Sequence, residues 1–274
     1  MASGKRQIDG ASSRPGWLFG GWLSVSLGAY VLLIVLLMLA DVCYVLAELN
    51  SGRDFQEMLS VPELWRSVKL TFISCSMSAV LSLFVAVPAG YCLSRFRFFG
   101  RSFIDAVIDI PMVLPPLVIG LSLLILFNNF PPKAWELPML TMEQYLNQIG
   151  IEVTHTKLAV VVAQFTVASA FAVRMMKLTF DQIEQRTEDV AMTLGASRGR
   201  AFIDVILPQS YRGIIASGIL AWARSLGEFG PILVFAGAYR GKTEVLSTSV
   251  YLEINTGNIA GAVIISLLMI IIAM

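Results

Sequence analysis

The sequence predicts an all-α integral membrane protein with about six transmembrane helices. Three observations lead there. The chain is 56% hydrophobic and only 14% charged, where soluble domains run near a quarter charged. Several apolar runs reach the roughly 20 residues that cross about 30 Å of hydrocarbon. Between those runs, loops rich and poor in Lys and Arg alternate. Barrel strands would give short alternating segments instead.

Residues 1–20 form a polar N-terminal segment carrying Lys5, Arg6 and Arg14, and Met1 to Pro15 are expected to be disordered. Residues 21–274 are read as one transmembrane domain. The run from about Gly21 to Leu46 is too long for a signal-peptide core, and no small-x-small cleavage site follows it, so it is expected to stay as the first span. Asp41 falls near its far end, close to water. The next four spans are expected at about Lys69 to Leu93, Phe103 to Phe127, Lys157 to Leu178 and Gly213 to Gly237. The sixth starts near Asn258 and runs to Met274, about 25 Å of helix at roughly 1.5 Å per residue. Residues 128–156 form a long external loop with Pro131, Pro132 and Pro138, and a short surface helix is expected around Thr141 to Ile149. Residues 181–209 form a cytoplasmic loop.

Orientation follows from the basic residues. One alternating set of segments, including the N-terminus and the 181–209 loop, holds twelve Lys and Arg residues; the other holds seven. The richer set belongs in the cytoplasm, which places the N-terminus there.

Within the 181–209 loop, Glu188 to Pro208 is the most polar internal stretch. Val190, Ala191 and Leu194 repeat at helical spacing and end at Gly195, as a short helix followed by a left-handed glycine would. Ser197 can cap a second short helix through Ala201, Phe202 and Val205, which Pro208 is expected to stop. This polar helix-turn-helix resembles the EAA---G---------I-LP loop of permease subunits in bacterial and archaeal ABC importers. Ala191, Gly195, Leu207 and Pro208 match that pattern; Asp189 stands for its Glu, Val190 for Ala and Val205 for Ile. In that family the loop docks into a cleft on the ATPase subunit. The resemblance therefore implies an ATPase-coupling role for Glu188, Asp189, Ala191, Gly195, Leu207 and Pro208.

The third span contains Pro111, Pro115 and Pro116. Each removes a backbone donor, so a broken helix is expected, packed where neighbours or a wet cavity satisfy the freed carbonyls. Its IPMVLPPLVIGL is similar to the LPxxLPPxVxGL stretch of molybdate, tungstate and sulfate permeases. Asp105 and Asp109, one turn apart near the cytoplasmic end, are expected to be solvated or paired with Arg residues such as Arg101. The fifth span holds Arg224 and Glu228 near its middle. Charges there face a bundle interior or a water-filled path. Two readings stand: a neutralising structural pair, or a lining of the path in which Arg224 eases an anion across. Gly218, Gly227 and Gly230 allow close helix approach. The ARSLGEFG segment resembles the ARxLGEFG of the oxyanion permeases. With that resemblance, Pro111, Pro115, Pro116, Arg224, Gly227, Glu228 and Gly230 are the candidate path residues.

Other chemistry is poorly provided for. Cys43, Cys75 and Cys92 are scattered, His155 is the only histidine, and a protein-bound metal site is not expected. There is no GxxxxGKS phosphate loop, no HExxH and no Ser/His pairing, so an enzyme is not expected. No basic, aromatic-interleaved surface suggests nucleic acid. The resemblance implies the type I ABC importer permease fold in a lipid bilayer, the cell inner membrane. It also implies a homodimer, two ATP-binding subunits that hold ATP and Mg, and an external substrate-binding protein, with no cofactor in this chain. The cargo it implies is a tetrahedral oxyanion, molybdate or tungstate first. Sulfate or another small solute, and a self-sufficient secondary transporter, are the alternatives.

Overall fold

The computed structural model describes residues 16–48, 60–131 and 140–274. The N-terminal stretch expected to be disordered, and part of the 128–156 loop, lie outside them. Residues 1–51 and 52–274 are separate compact units. The first contributes α1, Gly16–Glu48, apolar all round and exposed along 21–40.

The second unit is also helical, with no strand among the described residues. Its frame is α2 (Pro62–Arg95) against α6 (Lys157–Asp181). Along α2 a buried stripe of small residues, Ser67, Thr71, Ser74, Ser78, Ser82, Ala86 and Gly90, repeats every three or four positions, flanked by larger buried side chains at Leu64, Tyr91 and Leu93. Within lipid, helices associate through such close packing, because apolar bulk gains nothing there. A Cβ on Gly90 would lie 2.7 Å from Met176 Cβ and 2.9 Å from Lys177 N. The two backbones touch at that point. Helix α10 (Tyr211–Leu226) lies on both. Ser217 Oγ donates to Ala172 O at 3.2 Å, and Trp222 Nε1 to Ser76 Oγ at 3.3 Å.

The expected third span is two helices, α3 (Arg101–Val113) and α4 (Pro116–Asn128), set at 112°. The bend falls at Leu114 and Pro115, whose ψ angles are 143° and 132°. Each precedes a proline, and the proline ring drives the preceding residue out of the helical region. Pro111 does not break α3; it sits inside the last turn.

The 128–156 loop contains α5 (Met142–Gln148), capped reciprocally by Thr141 and Gln144 where the surface helix was expected. Glu143 ties it down by accepting from the backbone N–H groups of Val153 and Thr154 at 3.0 and 3.1 Å. Beyond α6 come α7 (Gln185–Thr193), α8 (Arg198–Ala201), a π-helical segment Phe202–Ile206 and α9 (Leu207–Gln209). Pro208 does not stop this helix. It lacks an N–H, and the π turn before it absorbs the register change, with Leu207 N–H reaching back to Phe202 O.

The expected fifth span is also broken. α10 ends at Leu226, and a second π segment, Ile232–Ala236, follows Pro231. The chain closes with α11 (Leu246–Asn255) and α12 (Ile259–Ala273), which lies in the expected sixth span. Among the described residues, α1, α2 and α6 are each long and apolar enough to cross a membrane, and the bent α3–α4 pair makes a fourth candidate.

Candidate functional site

Two groups of predicted residues are brought together, at different places. The first is the loop after α6. Gly195 ends α7 with φ +93°, and Ser197 Oγ accepts from Arg200 N–H at 3.4 Å to open α8. Asp189, Leu194 and Pro208 are exposed, whereas Ala191 and Leu207 are half-buried.

Glu188 points the other way and is buried. It accepts from Tyr91 Oη at 2.5 Å, and its second oxygen lies 3.5 Å from Arg95 Nε. Arg95 also donates to Ile183 O at 2.8 Å. The Phe202 ring sits 4.5 Å from that of Tyr91, which also meets Phe180 edge-on at 5.7 Å. Glu188 therefore anchors the loop to the end of α2, and the exposed apex around Leu194 is what a partner could touch. Tyr91 and Arg95 were missed in the sequence. Nothing in local spacing connects a residue on α2 to one almost a hundred positions later.

The second group lies where the two broken spans meet. A Cβ on Gly230 would lie 2.8 Å from Pro116 Cβ and 2.9 Å from Leu117 N; one on Gly120 would lie 2.8 Å from Pro231 Cα. Pro115 and Pro116 are exposed and Pro111 is half-buried. Gly227 is exposed, and a methyl added there would meet nothing closer than 4.0 Å.

Arg224 and Glu228 do not share a continuous helix as expected, because α10 stops between them. Arg224 occupies the last turn of α10, where a cation offsets the unpaired carbonyls. Its Nη2 lies 3.2 Å from Glu228 Oε2, and its guanidinium sits 5.5 Å above the Phe171 ring. The Glu228 side chain is 1% exposed and that of Arg224 33%. Ser247 Oγ donates to Glu228 O, which holds the break. Gln164 donates to Ser225 O at 3.2 Å, and Ser78 and Ser225 hydroxyls bond at 3.0 Å. This polar floor beneath the break was also missed.

Asp105 and Asp109 are paired, but not with Arg101. Lys177 Nζ lies 2.8 Å from Asp105 Oδ1, and Arg174 bonds Asp109. The i, i+4 carboxylates of α3 face the cations that α6 presents at similar spacing.

The burial of Glu228 predicts a coupled pair. Arg224→Gln and Glu228→Gln are each expected to lower detergent stability, and the double change to recover about 0.5–3 kcal/mol of the combined loss. Thermal melting of the three variants measures it. A stable Arg224→Gln protein with slow anion uptake, unrelieved by Glu228→Gln, would instead assign Arg224 to the path.

Residues 78–274 match the family described as binding-protein-dependent transport system inner membrane component. The chain belongs to this family. The permease is 31% identical over 235 residues to the sulfate transport system permease protein CysT of Salmonella typhimurium, covering 84% of this chain and 81% of that protein. It is also 31% identical over 218 residues to the molybdenum transport system permease protein ModB of Escherichia coli, covering 79% and 91%. Its fold is that of ABC transporter permeases. It overlays a chain of a bacterial alginate ABC transporter, solved with a pentasaccharide-bound periplasmic protein, with a TM-score of 0.67. That overlay covers 94% of this chain and 90% of the other, at 14% identity.

Proposed function

We propose that this permease is the transmembrane subunit of an ATP-driven importer for a tetrahedral oxyanion. The observation that carries the proposal is the loop after α6, with an exposed apex and a base fixed to α2 through Glu188, in a chain of this family. An exposed, rigidly rooted helical hairpin suits a coupling role, since force on its apex reaches α2 without being lost in the loop. In this reading the apex, with Asp189, Gly195 and Pro208, seats on an ATP-binding subunit. Two such subunits hold ATP and Mg, an external binding protein delivers the anion, and the permease works as a homodimer with its N-terminus in the cytoplasm. Arg224 and the proline and glycine break border the path.

Molybdate or tungstate is the first choice of cargo, in line with the relatives named as molybdenum permeases. Sulfate is the second, in line with those named as sulfate permeases. The test is reconstitution with the ATPase and binding protein into vesicles, measuring uptake of all three anions. ATP-dependent uptake of one of them is expected. Uptake without ATP or partners would overturn the ABC assignment, and ATP-dependent uptake of none would overturn the oxyanion.

Gly195→Val tests the coupling role. Its neighbours leave room, but a β-branched residue at φ +93° carries about 1–3 kcal/mol of strain. The variant is expected to insert normally and lose about tenfold or more of its ATPase stimulation by loaded binding protein. Orientation is tested by cysteines at Ser197 and Glu152, both exposed, after the exposed Cys43 and Cys92 are replaced by serine. An impermeant maleimide is expected to label the two from opposite sides.

A further inference from the structure

At the end of α2 remote from the loop lies a cavity of about 560 Å³. It is walled by the first turns of α2, the N-terminus of α6 and the turn before α11. Arg66, Lys69, Lys157 and Lys242 bring four cations to it, all exposed. None of the four side chains has an ion-pair or hydrogen-bond partner among the described residues. Glu244, the one carboxylate on the wall among the described residues, is already engaged. It accepts from Ser249 Oγ at 2.9 Å and Gly241 N–H at 3.3 Å and is buried. Among the described residues the cavity therefore has a surplus of positive charge and no free carboxylate to neutralise it.

The rest of the wall is largely apolar, with Ile73, Met77, Leu158 and Val161. Arg66 and Met77 are separated by about 16 Å along α2 at roughly 1.5 Å per residue. A bilayer has about 5–7 Å of headgroup region outside each face of the hydrocarbon, so a span of about 16 Å takes in that region and the upper acyl chains beneath it. With α2 across the membrane, the cations stand at headgroup level and Ile73 and Met77 at the level of the upper acyl chains. Ile73, Met77 and Leu158 are exposed, so this wall is open to the side.

We propose that the cavity binds an anionic phospholipid, its phosphodiester among Arg66, Lys69, Lys157 and Lys242 and an acyl chain along Ile73, Met77 and Leu158. Basic pockets between membrane helices recognise headgroups through this charge chemistry. A free oxyanion shares the charge but has no use for the apolar wall, and that wall favours the lipid. Which leaflet supplies it rests on the orientation proposed above; the site does not.

The test uses delipidated full-length permease in neutral detergent. Dioleoylphosphatidylglycerol is titrated by native mass spectrometry, with dioleoylphosphatidylcholine as the neutral control and inorganic phosphate and sulfate as competitors. Phosphatidylglycerol is expected to be retained about tenfold or more over phosphatidylcholine. The Lys69→Gln/Lys157→Gln/Lys242→Gln variant should lose that preference while keeping the wild-type melting temperature, since these side chains hold no partner among the described residues. Met77→Asn should weaken retention of the lipid. Equal phosphatidylglycerol retention by the wild type and the triple variant would overturn the proposal. So would displacement by millimolar phosphate or sulfate with no loss in Met77→Asn, which would assign the cavity to a free oxyanion.

Discussion

Glu188→Ala is expected to destabilise the permease by about 3–5 kcal/mol, the cost of stranding one charge of a buried pair. The side chains of Arg95 and Glu188 are 8% and 5% exposed. Removing the carboxylate leaves the guanidinium with the Ile183 carbonyl as its remaining partner and Tyr91 Oη without its acceptor. Glu188→Gln keeps an acceptor for Tyr91 and should recover part of the loss. Thermal melting in detergent measures both. ATPase stimulation by the loaded binding protein should fall further in Glu188→Ala than in Glu188→Gln, because the loop loses its root. A Glu188→Ala protein with wild-type melting and wild-type stimulation would remove the anchoring role.

The second large effect separates two glycines that look alike in the sequence. Gly227 and Gly230 both lie in LGEFG, yet their surroundings differ. Gly227→Ala adds a methyl to open space and should change stability by no more than about 0.5 kcal/mol. Gly230→Ala drives a methyl into Pro116 and the backbone of Leu117. Neither can swing aside, so the two broken spans must part, at a cost of about 1–3 kcal/mol. Gly120→Ala presses on Pro231 from the other direction and should behave likewise. Melting curves of the three variants decide it; equal stability for all three would mean that the contact between the breaks yields freely.

These contrasts mark what the sequence made legible. The break after Val113 could be read, because Pro115 and Pro116 act on their immediate neighbours. The end of α7 at Gly195 and the Ser197 cap could be read for the same local reason. Partners could not. Asp109 and Arg174 are 65 positions apart, Tyr91 and Glu188 97 apart, and no periodicity reports such pairings. Helix α11 was missed because LSTSVYLEIN is rich in Ser, Thr and Val, weak helix formers whose helix is stabilised by packing: Leu246 is buried against Leu64 and Ile265. The π segments were missed as well. They answer to prolines, but the sequence does not say whether a helix will stop, kink or widen.

The contact between α2 and α6 at Gly90 has a mechanical consequence. Helices whose backbones touch cannot slide past one another without lifting apart, so the pair acts as a stiff beam. At 34 residues, α2 extends about 51 Å, from the root of the loop to the cationic cavity. Where Pro88 interrupts the hydrogen bonding of α2, α6 lies against it, so a tilt imposed at one end is passed along the pair, and the sharper bending is left to the two spans that are already broken.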